Sequence, residues 1–206
     1  MLFTRAMFPL FPLSALAAPT VSERQSHDVY IQGVTFQGSG CPAGSASVQL
    51  LVDGRTFTVI YDKLAVSAGR GTTDSDYQKL CDLSIRFSHT PGYQFGIFTA
   101  SQRGFCNLQS GDTGLVDVNF GYSEEDEEVR RVTTYKGPIH QDYLKTDDFT
   151  ASTTHWSSCG TPGTLIVTIE ITLDAQDPSG SSQLTVDSTD FQFAHAPTTR
   201  SHICSG

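Results

Sequence analysis

Apolar and polar residues alternate with a period of two along most of the chain, and no window long enough for a helix carries a 3.6-residue apolar period with helix caps. The clearest case is Ala46 to Asp62, ASVQLLVDGRTFTVIYD, in which Asp53-Gly54 is the dipeptide favoured in two-residue type I′ hairpin loops. Folding the chain there pairs Val52 with Arg55, Leu50 with Phe57 and Val48 with Val59. That register sets Val48, Leu50 and Val52 on one face with Phe57, Val59 and Tyr61, so one turn explains the alternation of both strands.

Three further hairpins are predicted on the same grounds. Cys81 to Ser88 and Tyr93 to Ser101 are joined by Thr90-Pro91-Gly92, whose Pro and Gly fit the central positions of a type II turn. Leu115 to Tyr122 pairs with Val129 to Tyr135, and Thr164 to Leu173 with Gln183 to Phe193. Asp28 to Gln37 alternates as well, with Val29, Ile31 and Gly33 on one face and Tyr30, Gln32 and Val34 on the other. Many short strands rich in Thr, Val, Ile and aromatic residues predict an all-β fold, an antiparallel β-sandwich or open barrel. Residues 27–206 are read as one domain, because no long low-complexity linker divides them.

The first residues depart from this pattern. Met1 to Ala17 carries one charge, Arg5, then the apolar Leu10, Phe11, Leu13 and Leu16, and ends on Ala15-Leu16-Ala17. A charged start, an apolar middle and an A-x-A ending describe a secretory signal peptide over 1–17, followed by a loose arm over 18–26. The stretch is too short to cross a bilayer as a helix, which needs roughly 20 apolar residues. An extracellular address follows.

Charge narrows the partners. The chain carries 13 basic and 22 acidic groups, a net charge of −9, which repels phosphate backbones and anionic lipid, so neither nucleic acid nor a membrane is expected. Extracellular polysaccharide or protein remains as the partner class, and the chain is read as a monomer. Five cysteines, Cys41, Cys81, Cys106, Cys159 and Cys204, are an odd number, and in an oxidising compartment they read first as bridges plus a leftover thiol. No C-x-x-C occurs, so neither zinc nor any other metal or cofactor is called.

Gly33 to Ser45, GVTFQGSGCPAGS, resembles the fungal secreted family of domain of unknown function 4360. Matching stretches follow in order: TFTVIY at 56–61, Cys81-Asp82-Leu83, Tyr93-Gln94-Phe95, YKGPIHQDY at 135–143, WSSCG at 156–160, and Cys204. The resemblance implies a secreted, β-rich fold with four recurring cysteines, matched here by Cys41, Cys81, Cys159 and Cys204, and no transferable activity. Of the three ways to join those four, Cys41 to Cys81 and Cys159 to Cys204 is preferred, leaving Cys106 as the free thiol.

Several residue groups suggest chemistry. Gly38-Ser39-Gly40 looks like a phosphate-cradling loop, but the helix and Lys such a loop needs are missing, so it is read as a tight turn carrying Cys41 to its partner. Trp156 offers a flat ring for sugar stacking, or a core contact beside a disulfide. Glu124 to Glu128 could supply oxygen ligands to calcium but lacks the spaced ligands and turn Gly of a dedicated loop, so a solvated hairpin tip is expected. Asp142, Asp147, Asp148, Asp187 and Asp190 are candidates for the facing carboxylates of a glycosidase. No G-x-S-x-G elbow supports a serine triad, and His27 lies too far inside the mature chain for an N-terminal copper ligand.

The reading is a secreted, non-catalytic β-sandwich that binds cell-wall polymer or a secreted partner, with a small hydrolase using two of those aspartates as the alternative. Intact mass of protein from culture medium checks the first step: the mature chain should begin at Ala18 or Pro19, and a retained Met1 would remove the extracellular argument.

Overall fold

The computed structural model describes residues 29–51, 55–89, 93–123, 128–150, 156–158, 163–177 and 179–197. Twelve strands make it up: β1 (Val29–Gln37), β2 (Ala46–Leu50), β3 (Thr56–Tyr61), β4 (Ala65–Ala68), β5 (Gln78–His89), β6 (Tyr93–Leu108), β7 (Thr113–Tyr122), β8 (Glu128–Lys136), β9 (Ile139–Asp148), β10 (Gly163–Asp174), β11 (Ser182–Thr185) and β12 (Ser188–Pro197). Among the described residues the one helical element is a 3-10 turn at Asp74–Asp76. The fold is all-β, as the alternation predicts.

Two antiparallel sheets form. The first has the order β1-β5-β10-β7-β8, and the second β2-β3-β12-β6-β11-β4, with β9 on the other edge of β6. Each sheet turns its apolar positions inward. Cys81, Leu83, Ile85 and Phe87 of β5 and Leu165, Val167, Ile169 and Ile171 of β10 are 0–1 % exposed, while Asp82, Ser84, Thr168 and Glu170 between them face outward. The layers meet through aromatic rings: Phe87 of the first sheet lies edge-on to Phe95 of the second with centroids 4.0 Å apart, and Tyr122 donates from its hydroxyl to the Phe95 carbonyl at 3.2 Å.

Two of the predicted hairpins are real. In β2 and β3, Leu50 pairs with Phe57 and Val48 with Val59, and β7 pairs with β8 from Thr113–Lys136 to Gly121–Glu128. The other two are corrected. β5 pairs with β1 and β10 and never with β6, and β10 pairs with β5 and β7 and not with β11 or β12. In both cases the chain crosses from one sheet to the other, because a period-two strand satisfies the same core from either layer. β1 is corrected too: its register shifts between Ile31 and Gly33, and the extra residue turns Val34 and Phe36 inward beside Val29 and Ile31.

The Gly38-Ser39-Gly40 turn acts as a mechanical clamp. Gly38 has φ +121°, and a side chain there would lie 2.3 Å from the Leu80 carbonyl oxygen, so only glycine lets the turn lie flat on β5. Gly40 N–H donates to Leu80 O at 2.8 Å and Leu80 N–H donates to Ser39 Oγ at 3.2 Å. Cys41 is thereby set against Cys81, and the two are bonded with Cα atoms 5.2 Å apart. Residues 1–28, the Asp53-Gly54 tip, Glu124 to Glu127, Cys159 and Cys204 lie outside the described residues.

The bridge closes a sequence separation of 40, which on the loop-entropy relation stabilises by about 4 kcal/mol. Replacing both Cys41 and Cys81 by Ser should lower the unfolding free energy by about that amount, measured by denaturant titration; a change under about 1 kcal/mol would show that the turn is held by its glycines and hydrogen bonds alone.

Candidate functional site

β6 supplies the spine of the site. Alternation along it sends Ala100, Gln102, Gly104, Cys106 and Leu108 inward and leaves Thr99, Ser101, Arg103, Phe105 and Asn107 on the outer face. β9 lies antiparallel beside it, with Leu144 opposite Arg103, Asp142 opposite Phe105 and His140 opposite Asn107. On the other edge Ser188 and Asp190 of β12 stand opposite Arg103 and Ser101. A shallow, open groove of about 510 Å³ runs over this face, lined by Arg103, Gly104, Asp142, Tyr143, Leu144 and Asp187.

The charged groups in and beside the groove are partly engaged with one another. Arg103 Nη1 bonds Asp190 Oδ2, and Asp190 Oδ1 accepts from the Thr58 hydroxyl at 2.7 Å. With Arg103 half-exposed this ion pair contributes no more than about 1 kcal/mol to stability, so its effect is to orient the guanidinium along the groove. Asp187 accepts from the Thr185 hydroxyl at 2.9 Å. The Asp142 side chain is exposed and makes no hydrogen bond or ion pair with the described residues. At one end of the face the Phe105 and His140 rings meet edge to face at 5.2 Å, with His140 Nδ1 3.1 Å from Asn107 Oδ1.

The floor depends on Gly104. Tyr143 reaches across β6 at that position, and its hydroxyl donates to Thr185 O at 2.7 Å. Any Cβ on residue 104 would fall 2.0 Å from that carbonyl oxygen and 2.7 Å from the Tyr143 hydroxyl. Burial pushes the Tyr143 phenol pKa up, and the nearby Tyr135 and Asp187 push it the same way, so it stays a neutral donor.

Of the five candidate aspartates, the structure brings Asp142 and Asp187 into one groove and joins Asp190 to it through Arg103. Asp148 lies farther along the same face, bonded to the Thr99 hydroxyl at 3.2 Å. Asp147 is on the opposite face of β9, paired with Lys145 Nζ at 2.5 Å. Trp156 is apart from all of these: its short bridge to Gly96 and its ring, 5.9 Å from that of Phe98, seal the end of β6. Cys106 is buried without a disulfide, and burial pushes its thiol pKa up, away from the reactive thiolate. Glu128, the described end of the acidic run, bonds the Asn119 side chain across the β7–β8 hairpin.

Sequence reasoning missed Arg103, Phe105 and Leu144, although the alternation of β6 runs on past Ser101 and would have placed the first two outward. It also missed a second pair of carboxylates. Asp117 of β7 and Glu170 of β10 stand directly opposite each other on the outer face of the first sheet, in a groove of about 230 Å³ that also holds Arg130. Arg130 Nε donates to both Asp117 oxygens at 3.0 Å, and Glu170 accepts from Gln78. Hydrogen bonds donated to Asp117, then its charge and that of Glu170, raise the Arg130 pKa, so Asp117 is held in an ion pair with Arg130 while Glu170 is bonded to Gln78 beside it.

The profile of the domain of unknown function DUF4360 matches residues 27–204. The chain belongs to this family. Over 177 residues it is 35 % identical to an uncharacterized secreted protein of Arthroderma benhamiae, a match that covers 86 % of this chain and 72 % of that protein. Among solved structures, this chain is similar at 11 % identity to TmCBM61 in complex with beta-1,4-galactotriose, covering 79 % of this chain and 90 % of that one with a TM-score of 0.29. It is similar at 10 % identity to a protein of infectious bursal disease virus Gx strain, covering 93 % and 37 % with a TM-score of 0.34.

Gly104→Ala tests the floor. The added methyl must displace either the Thr185 carbonyl or the Tyr143 ring, so the variant should lose about 1–3 kcal/mol of stability in denaturant unfolding. A neutral result would mean that Tyr143 does not lie across β6 at this point.

Proposed function

We propose that this protein is a non-catalytic extracellular module that binds a hydroxyl-rich cell-wall polymer along the groove over β6 and β9. The observation that carries this reading is the open groove in which Arg103, Asp142 and Asp187 present planar, charged hydrogen-bonding groups beside the Phe105 and His140 rings. Sugars offer paired hydroxyls to such groups and C–H faces to rings, and charge-assisted hydrogen bonds are roughly twice as strong as neutral ones. The groove is open to solvent, which suits a chain laid across it better than a small molecule enclosed by it. An extracellular setting is supported by the signal-peptide pattern, by the Cys41–Cys81 bridge and by the secreted relative.

Glycoside hydrolysis needs two carboxylates poised on either side of one bond. Here Asp190 is held by Arg103 and Thr58, and Asp187 by Thr185, which among the described residues leaves Asp142 as the groove carboxylate without a side-chain partner.

Pull-down on insoluble β-glucan and chitin, with the supernatant assayed for soluble sugar, tests the proposal. Retention without product is expected, and Asp142→Ala and Arg103→Ala should each weaken it about tenfold, the effect of losing about 1.4 kcal/mol of charged hydrogen bonding. Soluble product lost on replacing Asp142 would establish a hydrolase instead. Absence of retention on every polymer would overturn the reading.

A further inference from the structure

Directly beneath the groove, three polar side chains face the interior in one band across the second sheet. Thr189 of β12 stands opposite Gln102 of β6. Its partner on the other side is Val59 of β3, and Tyr61 lies two residues further along that strand. Thr189, Gln102 and Tyr61 are 0 %, 3 % and 5 % exposed, and Thr189 Oγ1, Gln102 Oε1 and Tyr61 Oη have no hydrogen-bond partner of normal geometry. The Thr189 hydroxyl directs its proton at the Tyr61 phenol oxygen, which lowers the phenol pKa against the larger upward push of burial. The two groups are therefore neighbours.

Natural cores leave few buried polar atoms unsatisfied, because each has given up its bonds to bulk water. The inward neighbours along the same strands are Val59, Ala100 and Phe191, all buried and none with a side-chain donor or acceptor to offer. We infer that a single internal water molecule binds here, held by Tyr61, Thr189 and Gln102. The valences balance: with the Thr189 proton directed at the Tyr61 oxygen, the water accepts from the Tyr61 hydroxyl and donates to Gln102 Oε1 and Thr189 Oγ1, which is the usual complement of about three bonds for a buried water.

The site links the core to the outer face. Because successive side chains point to opposite faces, Gln102 and Thr189 are followed immediately by Arg103 and Asp190, the ion pair at the groove. A water bonded to β3, β12 and β6 at once ties together the three strands that carry Thr58, Asp190 and Arg103.

A crystal structure of the wild-type protein, at a resolution that shows ordered solvent, is the first test. It should contain a peak at about 2.7–3.2 Å from at least two of the three atoms. In solution, oxygen-17 magnetic relaxation dispersion counts long-lived internal waters, and the Tyr61→Phe/Thr189→Val/Gln102→Leu variant should lose one relative to wild type. Should that variant not fold, Thr189→Val alone is compared, for which a fall in the dispersion amplitude is expected. A direct Thr189–Gln102 hydrogen bond with no solvent peak in the wild-type crystal, or an unchanged water count in the variant, would overturn the assignment.

Discussion

The pairing of β6 on both of its edges between Thr99 and Asn107 is the constraint from which the rest of the second sheet follows. Its sixteen residues bond to β12 from Tyr93 to Arg103, to β11 at Cys106 and Asn107, and to β9 from Thr99 to Leu108. A strand paired on both sides has no freedom of register, so every side chain on it is committed to one face. Its inward set then helps to build the core and its outward set builds the groove, with Gly104 as the one position where a neighbouring side chain must pass over the backbone. The bulge at Phe98, between the Gln192–Thr99 and Phe193–Ile97 pairs, divides the two functions along the strand. On one side β6 packs against Trp156 and Phe87; on the other it carries Arg103 and Phe105.

What could be read from the sequence is what local pattern determines. The β2–β3 hairpin was legible to the residue because a turn dipeptide and two alternating strands demand the same register. β5 with β6, and β10 with β11 and β12, offered similar turns and alternation, yet they cross between the layers. Nothing local distinguishes these cases, since a strand buries the same face whether its neighbour in sequence lies beside it or across the core. β9 carries only a broken apolar alternation: Ile139 and Tyr143 share its inward positions with Gln141, Lys145 and Asp147, because it lies at the sheet edge where the core thins out. The site fared likewise. The aspartates could be named as a residue type, but their grouping into Asp142 with Asp187, and Asp190 with Arg103, depends on pairings between strands far apart in sequence.

A bend at Asp187 completes the groove. Between the Leu184–Cys106 and Ser188–Arg103 pairs the outer chain uses one residue more than β6 does, and β3 and β4 break at the same level. An extra residue in one strand usually costs ladder hydrogen bonds, yet here each is replaced: Asp187 N–H donates to Arg103 O at 2.8 Å, Val186 N–H to Leu64 O at 2.9 Å, and Tyr61 N–H to Asp187 O at 2.9 Å. The bend therefore leaves these backbone groups satisfied while interrupting the alternation, so that Asp187 and Ser188 are both turned away from the core between buried Val186 and Thr189. A carboxylate of the β11–β12 joint thus lies in the same groove as Asp142 of β9, on the far edge of β6. Strict alternation from Val186 would still have turned Asp187 outward but would have sent Ser188 inward and Thr189 and Phe191 outward, so the extra residue is what keeps the apolar face of β12 in the core.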